Sequence, residues 1–96
     1  MSEFRPSEKI FDILEARVAV IAARWNGEIT DGLLSGAIKA LTRHGIDQNN
    51  IEIFRVPGAF ELPLASQRAA RTGRFSALIS LGCVIRGDTP HFDYVC

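Results

Sequence analysis

Residues 82 to 91 read Gly82-Cys83-Val84-Ile85-Arg86-Gly87-Asp88-Thr89-Pro90-His91. Their types and order suit anion binding coupled to proton transfer. An apolar run, Ala77 to Ile85, has strand length and stops at Arg86-Gly87. Thr89-Pro90 then reads as a helix start, with Thr89 as N-cap and Pro90 at the first helical position. A strand that feeds straight into a helix leaves free backbone N–H groups beyond the carboxyl edge of the sheet, and these can hold an anion. His91 falls in the first turn, next to where that anion would lie. The positive helix end favours a neutral imidazole, the form that accepts a proton. The same ten residues also fit a plain strand–turn–helix with a surface histidine. Two further strand ends with unusual residues weigh against that plainer reading.

Those ends are Trp25-Asn26 and Gly58-Ala59-Phe60-Glu61. Trp25, the only tryptophan, is either a stacking surface for a flat ring or a partly buried rim residue, and the two stand even. Phe60 by itself reads as core. Glu61 suits the positive end of a helix, and becomes a hydroxyl-binding carboxylate if a polyol lies nearby. Asn26 reads as a turn residue. Arg86 reads as a solvated charge rather than a phosphate contact. His44, near a helix end, is given no catalytic role, and Asp93 and Tyr94 read as helix-surface and packing residues. No glycine-rich dinucleotide fingerprint, GxxxxGK[ST] phosphate loop or Gly-x-Ser-x-Gly elbow occurs. Two histidines and two cysteines form no metal-ligand spacing, so no metal site is expected.

Three strand–helix units position these residues. Arg17 to Ala23 is a continuous apolar strand of the kind buried on both faces. Ile29 to His44 follows with Ile29, Leu33, Leu34, Ala37, Ile38 and Leu41 on one helical stripe, and Gly45 is its natural stop. Ile51 to Val56 is a second strand, closed by Pro57-Gly58. A second helix is expected from about Phe60 to Gly73, with Pro63 tolerated only in its first turn. Ala77 to Ile85 is the third strand, and Pro90 opens a third helix. The alternation predicts an α/β fold of three layers, α/β/α, with parallel strands and right-handed crossovers. Ligands in such sheets bind outside the carboxyl ends of the strands, so the three unusual ends converge on one rim.

Length and charge narrow the alternatives. The 96 residues fit one domain, with residues 1–16 as an N-terminal arm and 17–96 as the strand–helix units. Eleven basic residues against eleven acidic give a formal net charge of zero, so no nucleic-acid partner is expected. The longest uninterrupted apolar stretch, Val18 to Ala23, is too short for a membrane span, so no membrane partner is expected either. The first 17 residues mix acidic and basic side chains without the apolar core of a signal peptide. Cys83 reads as a buried reduced thiol, and a cytoplasmic protein is the expectation.

The rim segments, taken together, resemble the lumazine synthase (6,7-dimethyl-8-ribityllumazine synthase) family. The matching stretches are Ala23-Arg24-Trp25-Asn26, Leu33-Leu34-Ser35-Gly36-Ala37, Val56-Pro57-Gly58-Ala59-Phe60-Glu61-Leu62-Pro63, and Gly82 through Val95. They occur in the family's order from about residue 17 onward. The resemblance implies a flavodoxin-like fold, incomplete at its C-terminus because the sequence reads as an N-terminal portion stopping at Cys96. It implies condensation of 5-amino-6-(D-ribitylamino)uracil with 3,4-dihydroxy-2-butanone 4-phosphate, the penultimate step of riboflavin biosynthesis, without a cofactor. By matching positions, Trp25 would stack on the pyrimidine and Asn26 would line the same pocket. Backbone groups of Val84 and Ile85 would bond the pyrimidine edge, and Ala59, Phe60 and Glu61 would hold the ribityl chain. Asp88 and Thr89 would bind phosphate through their N–H groups, and His91 would move protons. The family's phosphate-gripping arginine, a lysine and an aromatic residue lie in the part beyond Cys96. The arginine and the aromatic reach the pocket from a neighbouring subunit. The resemblance also implies a homo-oligomer, a pentamer or a pentamer-based shell. The alternative is a non-catalytic ligand-binding or shell-forming protein on the same scaffold, or an inactive fragment. Glu61 and His91 favour the enzyme, since a shell needs neither. A flavodoxin-like phosphate or flavin module rests on fold analogy alone.

Overall fold

The computed structural model describes residues 15–96, so the expected N-terminal arm lies almost wholly outside the described residues. Strand β1 (Val18–Ala23) is apolar throughout and all six of its residues are buried. Such a run has no polar face to turn to solvent, so it takes the centre of the sheet. The order is β2–β1–β3, with β2 at Ile51–Val56 and β3 at Ala77–Leu81. Both neighbours run parallel to β1, with Val18 opposite Ile51 on one side and Ala77 on the other.

Alternation along β1 assigns its two faces. Val18 and Val20 pack with Leu34, Ile38 and Leu41 of helix α1 (Gly27–Arg43). Ile21 and Ala23 pack with Leu62, Ala65 and Ala69 of helix α2 (Leu62–Arg71). One helix on each face makes the three expected layers. Burying Val20 and Ile21 completely contributes about 1.5–3 kcal/mol each. Helix α1 ends as expected at Gly45, whose φ is 101°. The N–H groups of Gly45 and Ile46 donate to the carbonyls of Thr42 and Leu41, closing a Schellman motif. Before α2 a short 3₁₀ turn, Ala59–Glu61, carries the chain off the end of β2, and Pro63 sits at the start of α2.

Two expectations at the third strand end are corrected. The strand stops at Leu81 rather than Ile85, because its ladder with β1 reaches only Ala22–Leu81 and β1 itself turns away after Ala23. Gly82 marks the break. A Cβ there would stand 2.7 Å from Leu62 Cδ1 and 3.3 Å from Ala59 Cβ, so a side chain would force Leu62 to move. The last helix, α3 (His91–Val95), is capped by Pro90 and not by Thr89, and no side chain caps it. The Pro90 carbonyl is the first acceptor, taking N–H bonds from Asp93 and Tyr94. Cys83, beyond the strand, is a free thiol and only half-buried. Among the described residues no helix is long and apolar enough to cross a membrane.

Candidate functional site

The strand ends meet in one cavity of about 550 Å³ at the carboxyl edge of the sheet. Trp25 enters it from β1. Its backbone is held, since Arg24 N–H donates to Val56 O at 2.8 Å and Trp25 N–H to Pro57 O at 3.0 Å. Its side chain is not held by the core, being 71% exposed. Phe60, on the turn after β2, is 68% exposed, which removes its reading as a core residue. The chain thus presents two aromatic faces to solvent on a firmly bonded backbone.

Glu61 is anchored by that same turn. Its Oε2 accepts a 3.0 Å hydrogen bond from Gly58 N–H, and its own N–H donates to Gly58 O at 3.2 Å. A carboxylate near a helix start satisfies one of the free N–H groups there. Only one oxygen is used in this way, so the carboxylate is fixed in place while its other oxygen stays available as an acceptor.

Asn26 begins α1 with φ 58° and ψ 47°, the left-handed region. Its carbonyl accepts from Ile29 N–H and Thr30 N–H, and from the hydroxyl of buried Thr30. Its side-chain Nδ2 donates to Cys83 O at 3.1 Å, tying the β1 end to the segment after β3. That segment, Cys83-Val84-Ile85, forms another wall, and Thr89 and His91 complete the lining. His91 is exposed at the first position of α3.

The nominated residues Trp25, Asn26, Ala59, Phe60, Glu61, Val84, Ile85, Thr89 and His91 therefore share one cavity. Asp88 does not line it. Arg86 points elsewhere, pairing with Asp93 at 3.2 Å and lying 4.4 Å from the centre of the Phe92 ring. Pro57, Gly58, Cys83 and Val95 also line the cavity. Val95 could have been found from sequence, because it stands one helical turn after His91 on the same face. The lining carries one carboxylate, one imidazole and no lysine or arginine. The arrangement can stack a flat ring, bond a polar ring edge and a hydroxylated chain, and move a proton.

Residues 15–96 match the family model described as 6,7-dimethyl-8-ribityllumazine synthase. A protein of that name from Desulfovibrio desulfuricans is 52% identical over 80 residues, covering 83% of this chain and 51% of the relative. One from Parabacteroides distasonis is 51% identical over 85 residues, covering 88% of this chain and 53% of the relative. The chain spans about half the length of these curated relatives.

Proposed function

This chain belongs to the 6,7-dimethyl-8-ribityllumazine synthase family, and from that premise we propose that its rim cavity serves the condensation of 5-amino-6-(D-ribitylamino)uracil with 3,4-dihydroxy-2-butanone 4-phosphate. The observation that carries the proposal is the gathering of exposed Trp25 and Phe60, anchored Glu61 and His91 around one cavity. In this reading Trp25 stacks on the pyrimidine, with Asn26 beside it. The backbone of Val84 and Ile85 bonds the ring edge, and Ala59, Phe60 and Glu61 hold the ribityl chain. The N–H groups around Asp88 and Thr89 receive the phosphate. Since the lining has no cationic side chain of its own, the arginine that the family resemblance implies would complete that end.

The chemistry asks little covalent work of the protein. The pyrimidine's 5-amino group attacks the ketone carbonyl, and loss of water gives an imine. A proton leaves the neighbouring carbon and inorganic phosphate departs. The resulting enol tautomerises to a ketone, and the ribitylamino nitrogen attacks that carbonyl to close the second ring with loss of a second water. His91 takes and returns the protons. Alignment of two bound molecules supplies up to about 7–11 kcal/mol in ideal cases, and a positioned acid–base group adds about 10²–10⁴-fold.

The proposal includes a homo-oligomer, a pentamer or a shell built from pentamers, working in the cytoplasm. Ile29, Leu33, Ile53 and Leu64, all exposed, supply apolar surface for such contacts. The test is to mix the two substrates with the full-length protein and follow the fluorescent lumazine and released phosphate together. Equal amounts of both are expected. Failure to form either, with no pyrimidine binding by calorimetry, would refute the enzymatic reading and leave the scaffold alternative.

A further inference from the structure

Asn26 is the one described residue other than glycine with positive φ, and as the N-cap of α1 it makes no side-chain capping bond. The second fact runs against its residue type's ordinary use. At an N-cap, the asparagine side chain normally accepts from an N–H of the first turn. Here it donates instead to a carbonyl 57 positions along the chain, Cys83 O. A left-handed backbone disfavours every side chain, though asparagine less than most. Such strain persists only where the surroundings over-determine it, and it gathers at functional sites.

We infer that Asn26 is a positioning residue that orients the Cys83–Val84 peptide for hydrogen bonding to the pyrimidine edge. The inference rests on the function proposed above and adds to it a role distinct from lining the pocket. A peptide is planar, and none of the described peptide bonds is cis, so fixing Cys83 O also fixes the opposed direction of Val84 N–H. Accepting a bond at the carbonyl polarises the same peptide and strengthens its N–H as a donor. The need for a latch follows from the fold. Beyond Leu81 the ladder with β1 has ended, so no sheet hydrogen bond holds residues 83–85. The Asn26 amide takes the place of a further rung by donating to Cys83 O.

Two variants of the full-length protein separate this from a purely conformational role. Asn26→Gly accepts positive φ more readily than asparagine but removes the amide. Asn26→Asp keeps the shape and the left-handed tolerance but sets an acceptor against Cys83 O. The probes are 5-amino-6-(D-ribitylamino)uracil alone and its N3-methyl derivative, which blocks the ring edge while leaving the stacking face. Asn26→Gly is expected to bind the parent about 10-fold more weakly, in keeping with one lost hydrogen bond. Its affinity for the methyl derivative should fall by clearly less, since only the contact of Asn26 beside the ring is lost, and Asn26→Asp should be weaker still for the parent. Parent binding by Asn26→Gly equal to or tighter than wild type would overturn the inference. Equal losses for both probes would overturn it too, because they indicate general loosening. If the wild type binds neither probe, the proposed function fails while the latch is still decided by NMR of the unliganded protein. The Cys83 carbonyl carbon resonance should shift in Asn26→Gly as its hydrogen bond is lost, and an unchanged shift would remove the latch.

Discussion

Trp25→Ala separates a stacking residue from a structural one more cleanly than any other single change. A tryptophan presents on the order of 200 Å², and Trp25 is 71% exposed, so on the order of 150 Å² stands open to solvent. A ring stacked on one face covers about half of that, which at 25 cal/mol/Å² is about 2 kcal/mol. The figure agrees with the roughly 1–3 kcal/mol measured for bases stacked on aromatic side chains. It corresponds to about 30-fold weaker pyrimidine binding. The folding effect should be far smaller. Truncating a core tryptophan costs about 3–5 kcal/mol, but exposed positions usually stay within about 0.5 kcal/mol. The bonds that Arg24 and Trp25 make to β2 and its turn involve backbone only and survive the substitution. Calorimetric titration with 5-amino-6-(D-ribitylamino)uracil gives the first quantity and thermal melting the second. Affinity within twofold of wild type would refute stacking. A large fall in melting temperature would show that the indole is structural despite its exposure.

Three further outcomes follow from the same geometry. Glu61→Gln retains a carbonyl oxygen for Gly58 N–H and should fold normally, yet bind the ribityl substrate about 10-fold more weakly by calorimetry, since bonds to a charged acceptor contribute about 1.5–3 kcal/mol. Gly82→Ala drives a methyl to 2.7 Å from Leu62 Cδ1 and should destabilise by about 1–3 kcal/mol, read as a lower denaturant midpoint at unchanged slope. His91→Ala should lower kcat by about one to three orders of magnitude with much less change in KM; full kcat retained from pH 6 to 8 would require another base.

The elements that a one-dimensional pattern specifies were legible. β1 followed from an unbroken apolar run, β2 from a run closed by Pro57-Gly58, and the end of α1 from Gly45. The third strand was read four residues too long because Cys83, Val84 and Ile85 continue the apolar run of β3. Apolar character permits a strand, but pairing makes one, and the partner had ended at Ala23. Thr89 was the better cap by type, yet its neighbour supplies the first helical carbonyl. Phe60 was read as core when taken alone, because its 68% exposure depends on how the turn after β2 leaves the sheet. The left-handed backbone of Asn26 was invisible for a related reason. Its side-chain partner is remote in sequence, and no local pattern announces it.

The hydrogen bonds that shape the cavity are mostly bonds of the protein to itself. Trp25 N–H holds Pro57 O, Gly58 N–H holds Glu61, and Asn26 holds Cys83. Each joins one wall of the cavity to another, or fixes a wall's own turn. The aromatic faces, the second Glu61 oxygen and the His91 ring take no part in this bracing. Exposed aromatic surface of this kind adds nothing to folding, because its burial is not gained when the chain folds. It is gained when a flat ligand covers it. A rim braced through its backbone also loses little freedom on binding, so more of that gain is realised as affinity. The same division gives Asn26 and Gly82 a part in shaping the cavity. They set where the walls stand, and Trp25, Glu61 and His91 are carried on those walls.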